Sequence, residues 1–126
     1  MPNYDFDLDK VIGDRGEELA QTVISELVSG GVEVKNDVGF VDTGNLCFEV
    51  EYKGKPSGIT ATDAKWWAHV LFDGEMVIFL TTERLRKMME NKFTIMGGDN
   101  LDSRLVLLTP PELFKRNEPK KQIFEH

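Results

Sequence analysis

The chain of 126 residues is 40% hydrophobic and 29% charged, which is the composition of one globular domain over residues 1–126. Its net charge of −7 disfavours a protein that coats nucleic acid nonspecifically, although bound divalent cations can supply positive charge locally. No apolar run approaches the ~20 residues of a membrane span, the single cysteine excludes an internal disulfide, and the acidic N-terminus lacks a secretory signal. We therefore expect a cytoplasmic protein without membrane contact.

The first half of the chain predicts a helix and three short strands after an acidic lead-in at residues 1–12. Apolar side chains at spacings of three and four indicate the helix, and Gly30 and Gly31 end it. The predicted elements are a helix over residues 14–29 and strands over residues 32–35, 38–41 and 46–53. Because the turn signal DTGN precedes the last strand, we expect that strand to pair with the preceding segments as a hairpin.

The second half predicts two more helices and two more strands before a basic tail at residues 110–126. Thr60 and Asp63 resemble a capping box at the start of one helix, and Thr81 or Thr82 is expected to cap the other. The predicted elements are a helix over residues 60–71, a buried strand over 76–80, a helix over 83–92 and a strand over 104–108. This order predicts an α/β fold with a mixed central β-sheet flanked by helices.

The third predicted strand carries charged side chains on one face. Strand alternation sends Phe48 and Val50 towards the core. It places Glu49, Glu51 and Lys53 together on the opposite face. One interpretation of that face is a solvated surface with cross-strand ion pairs. The other is one wall of a site that holds a metal ion against a phosphate.

A metal-dependent phosphodiesterase needs only a small set of groups. A hard cation such as Mg²⁺ is bound by carboxylates, water and a phosphate oxygen, and a nearby lysine can orient the attacking water. Asp37, Glu51 and Lys53 supply this set if the expected hairpin brings the two carboxylates together. Glu17 and Glu49 are further candidate ligands.

Two alternatives stay open within this set. Asp42 competes with Asp37 as the aspartate that precedes the charged strand. Glu49 and Glu51 can instead be the paired acids, with Lys53 as an accessory group. We prefer Glu51 with Lys53, because the apolar run at residues 46–50 matches better the corresponding strand of the nuclease family that these residues resemble.

These residues resemble the PD-(D/E)XK nuclease superfamily, most closely its small Holliday-junction-resolvase-like and phage-encoded members. The resemblance rests on GDRGEELA at residues 13–20, the GG that ends the first helix, Asp37 and FEVEYK at residues 48–53, and it covers roughly residues 13–92. It implies a restriction-endonuclease-like core of order α-β-β-β-α-β. By the same resemblance, the metal site for phosphodiester hydrolysis consists of Glu17, Asp37, Glu51 and Lys53.

The resemblance further implies a deoxyribonuclease that uses Mg²⁺ or Mn²⁺, cuts DNA as an endo- or exonuclease, accepts branched DNA and works as a homodimer. A phage-encoded member would act in the host cytoplasm. The alternative is a binding or accessory protein that keeps this fold without hydrolysis. Beside the site, Lys55, Ser57 and Lys65 are candidates for contact with DNA phosphates. His69 is expected at the surface or its boundary, and Cys47 is expected to be a small buried residue.

Overall fold

The structure, a computed structural model, describes residues 6–116. Its helices are α1 (Phe6–Val28), α2 (Phe40–Thr43), α3 (Thr82–Met89) and α4 (Pro110–Leu113). Its strands are β1 (Val32–Asn36), β2 (Leu46–Tyr52), β3 (Lys55–Pro56), β4 (Trp66–Leu71), β5 (Met76–Thr81), β6 (Ile95–Gly97) and β7 (Ser103–Leu108). Across the described range, no helix is both long and apolar enough to cross a membrane.

The chain divides into two compact units, Met1–Val32 and Glu33–His126. The described part of the first unit is dominated by α1, a helix of 23 residues. It covers residues 14–28 of the helix predicted over residues 14–29 and begins further upstream, so residues 6–12 of the expected lead-in are helical. Gly30 has a φ of 95°, a conformation that suits a residue just beyond a helix end. Residues 1–5 lie outside the described range.

The second unit contains two sheets instead of one central sheet. One is a mixed sheet of three strands in the order β1-β4-β5, and the other is an antiparallel sheet of four strands in the order β3-β2-β7-β6. The coarse prediction of a mixed α/β fold is therefore confirmed. In the second sheet β2 is a central strand, and its pairing with β7 runs from Leu46 opposite Leu108 to Tyr52 opposite Ser103.

Alternate residues of β2 form the centre of the core. Leu46, Phe48 and Val50 are all buried, as strand alternation predicts. Apolar side chains from β4, β5, α3, β7 and α4 pack into the same cluster: Trp67, Leu71, Leu80, Leu85, Met88, Val106, Leu108 and Leu113. Since β2 buries one row of side chains in this way, its other row lies on the opposite, partly exposed face of the strand. That row consists of Cys47, Glu49 and Glu51.

The helix predicted over residues 60–71 is wrong. Ser57 and Thr60 form a capping box around a single 3₁₀ turn, Gly58–Thr60, and the chain then extends into β4. The hydroxyl of Thr60 bonds to the backbone of Ser57 and Val50, and it does not cap a longer helix. The segment WWAHVL is a short, mainly apolar run with two tryptophans that is covered on both faces, and such a run favours a buried strand.

The hairpin expected between the first strands and β2 is also wrong. Residues 38–41 are not a strand, because Phe40–Thr43 forms the short helix α2. Gly44 ends that helix in the left-handed conformation, with a φ of 71°. This turn directs β2 into the second sheet, while β1 pairs with β4. The other predicted strands and the third helix are confirmed as β5, β7 and α3, and Thr81 caps α3 by accepting a bond from the Arg84 amide.

A polar candidate site where the two sheets meet

Asp37 connects the two sheets through one carboxylate oxygen. It follows β1 directly, and its amide donates to the carbonyl of Val70 in β4 at 2.9 Å. Its Oδ2 accepts a hydrogen bond from the Cys47 amide of β2 at 2.8 Å and another from His69 Nε2 of β4, also at 2.8 Å. The side chain is only 4% exposed. Asp37 is therefore a buried acceptor on which an amide of one sheet and an imidazole of the other converge.

His69 is fully buried, so its expected place at the surface is wrong. The indole Nε1–H of Trp67 donates to Nδ1 of the ring at 3.1 Å. Because Nδ1 accepts this bond, a neutral ring carries its proton on Nε2 and donates it to Asp37. Burial lowers the pKa of His69, whereas its hydrogen bond to Asp37 acts in the opposite direction. Both nitrogens are occupied, and the ring therefore has no lone pair with which to activate a nucleophile.

Glu49 lies on the outer face of β2 and is held by two hydroxyl groups. Ser57 Oγ donates to Oε2 and Ser103 Oγ donates to Oε1, each at 2.6 Å. These bonds lower the pKa of Glu49, with Ser103 as the larger cause. The loop that brings Ser57 here requires Gly58, whose φ is 55° and where a Cβ would collide with the carbonyl oxygen of Glu49.

The charges of Asp37, Glu49 and Lys35 all act on the thiol of Cys47. The pKa of the Cys47 thiol is raised by burial first and then by the charges of Asp37 and Glu49. Lys35 of β1 acts in the opposite direction on that thiol, and its charge also helps to lower the pKa of Glu49. The raised pKa of the thiol disfavours Cys47 as a nucleophile.

Glu51 has a different partner from Glu49, although both project from β2. The pairing of β2 with β7 shifts register between them, which is the mark of a β-bulge. Arg104 Nε donates to Glu51 Oε2 at 3.0 Å, and the same guanidinium group donates to the Thr94 hydroxyl. We call Glu51 and Arg104 the Glu51 pair. This pair is the cross-strand contact that the solvated-face interpretation predicts.

The other predicted site residues are spread over the molecule. Lys53 lies in the turn after β2, has a φ of 50° and stands 5.4 Å from the centre of the Tyr52 ring. Glu17 lies on α1 in the first unit, and Asp42 is exposed in the first turn of α2. Lys55 and Lys65 are exposed. No described contact joins Glu51 to Asp37, and the proposed roles of these residues stay predictions.

The donor set around Asp37 suits a hard cation that keeps much of its water. Among residues 6–116, no three His, Cys, Asp or Glu side chains converge as a metal-binding group. The hydrogen bonds of Asp37 and of Glu49 leave further lone pairs on each carboxylate for other ligands. Mg²⁺ is commonly bound by one or two carboxylates together with several waters. These carboxylates are therefore compatible with Mg²⁺ or Mn²⁺ and unsuited to a cation that requires four protein ligands.

Sequence reasoning missed three residues of this site, Lys35, His69 and Ser103, and also Arg104 of the Glu51 pair. His69 would have been found if WWAHV had been interpreted as a strand, since residues 67 and 69 then face the same side. Ser103 and Arg104 lie more than 50 residues from Glu49 and Glu51, and only the β2–β7 register shows that they meet.

Comparison of the chain with protein-family models, with curated proteins and with solved structures gives no match. The resemblance to PD-(D/E)XK nucleases therefore rests on the sequence motifs alone, and a nuclease function is a proposal.

Proposed function

We propose that this protein is a metal-dependent phosphodiesterase that cuts DNA, with Asp37 and Glu49 as its ion-binding carboxylates. The observation that carries the proposal is that β2 binds Asp37 through its Cys47 amide and, two residues further on, bears Glu49 held by the hydroxyls of Ser57 and Ser103. A restriction-endonuclease-like core, implied by the sequence resemblance, is part of the same proposal. Of the alternatives left open by the sequence, this arrangement favours Glu49 over Glu51 as the strand acid.

Mg²⁺ or Mn²⁺, when bound, would polarise the phosphoryl group and lower the pKa of a bound water. Asp37 and Glu49 would hold the ion. The hydroxyls of Ser57 and Ser103 keep Glu49 ionised by lowering its pKa, which suits a ligand that must carry a negative charge. Lys35 would supply positive charge near the transferring phosphate, whereas the role predicted for Lys53 was to orient the attacking water.

DNA is the proposed substrate because the sequence motif resembles that of DNA nucleases, and its branched forms belong to the proposal. Lys55 and Lys65 are exposed and remain candidates for contact with its phosphates. Since the chain carries a net charge of −7, binding to DNA would depend on the bound cations. A homodimer, which would present two sites to two strands, stays an expectation of the resemblance.

A cleavage assay tests the proposal. Linear, branched and single-stranded DNA would be incubated with the wild-type chain in Mg²⁺, in Mn²⁺ and in EDTA. We expect cleavage that requires the metal, is lost in Glu49→Gln and is largely kept in Glu51→Gln. The two substitutions are matched, because each removes one charge from the same face of β2. Absence of cleavage by the wild-type chain on every substrate, or equal activity of both variants, would overturn the proposal.

A second candidate function is a binding or accessory protein that does not hydrolyse DNA. It is favoured by the hydrogen bonds of Asp37, whose carboxylate already joins β2 to β4 and needs no ion for that role. In this case Asp37→Asn would lower stability, and Mn²⁺ would not bind to the wild-type chain. Metal binding therefore separates the two candidates before any substrate is known.

A further inference from the structure

The hydrogen bonds around Asp37 form a chain with a defined direction. The Trp67 indole donates to His69 Nδ1, and His69 Nε2 donates to Asp37 Oδ2. The rings of Trp67 and His69 lie side by side and nearly coplanar, with centroids 6.4 Å apart and an angle of 20° between their planes. Phe48 packs against the other side of this group, 4.6 Å from the imidazole centre. The imidazole is therefore fixed in both orientation and tautomer. We call Trp67, His69, Asp37 and the Cys47 amide the Asp37 network.

This network fixes which oxygen of Asp37 remains for a ligand. Oδ2 accepts from both His69 and the Cys47 amide, so two donors from different sheets determine the plane of the carboxylate. Oδ1 takes part in neither bond and lies towards the exposed Gly39, where a Cβ would stand 3.9 Å from it. Asp37 also lines a cavity of about 230 Å³ together with Phe72 and Asp73. The carboxylate is thus presented to its surroundings in one orientation.

We propose that His69 is a positioning residue for a divalent cation at Asp37, because its Nε2–H holds Oδ2 and leaves Oδ1 to bind the ion. The proposal rests on the proposed function, in which Asp37 is a metal ligand. Hydrogen-bonding partners of metal ligands orient those ligands, and their loss typically weakens metal binding 10–100-fold. Trp67 acts one step further away, since its indole sets the tautomer that allows His69 to donate.

Mn²⁺ titration of the full chain by isothermal calorimetry compares three proteins: wild type, His69→Phe and His69→Gln. Phenylalanine keeps a ring of similar size without a donor, whereas glutamine keeps an N–H at about the reach of Nε2 but loses the ring. We expect His69→Phe to bind Mn²⁺ about 10–100-fold more weakly and His69→Gln to stay within about threefold of wild type. Equal affinities of wild type and His69→Phe, or of the two variants, would overturn the proposal.

The same variants separate positioning from simple structural support. In a core of aromatic rings, glutamine is expected to lower the melting temperature at least as much as phenylalanine does. Rescue of Mn²⁺ affinity without rescue of stability is therefore a result that a purely structural role does not give. Leu108→Ala is the control, because it removes a buried side chain of β7 outside the Asp37 network and should leave Mn²⁺ affinity unchanged.

A second measurement needs no variant. Long-range ¹H–¹⁵N spectra of the wild-type chain report which imidazole nitrogen carries the proton. We expect a protonated Nε2 and an unprotonated Nδ1, and a proton on Nδ1 would overturn the proposal.

The Mn²⁺ titrations also distinguish failure of the positioning role of His69 from failure of the proposed function. If wild type binds Mn²⁺, Asp37→Asn does not, and His69→Phe binds normally, only the positioning role fails; if wild type does not bind Mn²⁺, the proposed function fails with it.

Discussion

The two ends of β2 differ in how far water reaches their charged groups. At the Asp37 network, Asp37 is 4% exposed and His69 is not exposed at all. At the Glu51 pair, the side chains of Glu51 and Arg104 are 41% and 43% exposed. The distances are similar, 2.8 Å and 3.0 Å, so geometry alone would rank the two contacts as equals. Burial makes the first contact sensitive to the loss of either partner, whereas solvent can replace a partner in the second.

This difference in burial indicates which end of β2 is better suited to bind a cation. A carboxylate with a fixed orientation and little competing water binds a cation more selectively than one whose charge is already neutralised by an exposed arginine. Glu49 lies between the two ends and shares features of both, since it is half-buried but held by two hydroxyls. The comparison therefore assigns Glu49 to the Asp37 end and Glu51 to the surface.

The largest expected effect is that of Asp37→Ala. The substitution leaves the His69 Nε2–H and the Cys47 N–H without an acceptor in buried surroundings, and we expect the free energy of unfolding to fall by ~3–5 kcal/mol. Urea unfolding followed by tryptophan fluorescence measures this change. Asp63→Ala, at an exposed aspartate, is the control and should change the free energy by less than ~0.5 kcal/mol. A loss below ~1 kcal/mol for Asp37→Ala would show that water reaches the network.

A smaller effect is expected from Gly58→Ala, which tests the loop that carries Ser57 to Glu49. Gly58 and Gly54 have φ values of 55° and 79°, but only at Gly58 would a Cβ meet backbone, the carbonyl of Glu49. We expect Gly54→Ala to lower the free energy of unfolding by ~1–2 kcal/mol and Gly58→Ala to lower it by at least ~1 kcal/mol more. Equal losses in thermal unfolding would mean that the loop moves away without cost.

Ser103→Ala tests whether the hydroxyl of Ser103 lowers the pKa of Glu49, in the middle of β2. Because hydrogen bonds lower the pKa of Glu49 in the folded state, its ionised form contributes stability that is fully present above the unfolded pKa of about 4.3. That stability is lost as the pH falls through the lower, folded pKa. We expect Ser103→Ala to raise the pKa of Glu49 and to reduce this acid-dependent loss. Carboxyl-resolved NMR titration measures the pKa, with Ser25→Ala on α1 as the control; an unchanged pKa would contradict the assignment.

The smallest effect is expected at the Glu51 pair. A double-mutant cycle with Glu51→Gln and Arg104→Gln should give a coupling free energy of ~0.2–1 kcal/mol, since both side chains are well exposed. Raising NaCl to about 1 M should reduce the coupling further, because salt screens exposed charges. A coupling above ~2 kcal/mol that resists salt would show that the two ends of β2 are alike after all.

Local patterns predicted those elements whose side chains satisfy one clear period. The alternation of β2, the glycine-ended first helix, the apolar run of β5 and the threonine cap of α3 were all recognisable from neighbouring residues. The segment of residues 60–71 was not, because a short apolar run covered on both faces has no distinctive period. Residues 66–71 form a strand because they pair with β5 along their whole length, and this partner cannot be identified from the local sequence.

The candidate site was only partly predictable for a related reason. Asp37 and Glu49 were predicted as candidate ligands because carboxylates beside a strand are suitable ligands for a hard cation. Their hydrogen-bonding partners were not found, since His69 and Ser103 are brought in by strand register across 32 and 54 residues. The sequence analysis preferred Glu51 to Glu49, whereas the β-bulge between them is the feature that separates their surroundings.

The central claim is that Asp37 and Glu49, and not Glu51, form the ion-binding pair. Calorimetric titration of Mn²⁺ into wild type, Asp37→Asn, Glu49→Gln and Glu51→Gln, at one pH and one salt concentration, tests it most directly. We predict that wild type binds one Mn²⁺, that Asp37→Asn and Glu49→Gln lose this binding, and that Glu51→Gln keeps it. Binding that survives in Glu49→Gln but is lost in Glu51→Gln, or a wild-type chain that does not bind Mn²⁺, would contradict the claim.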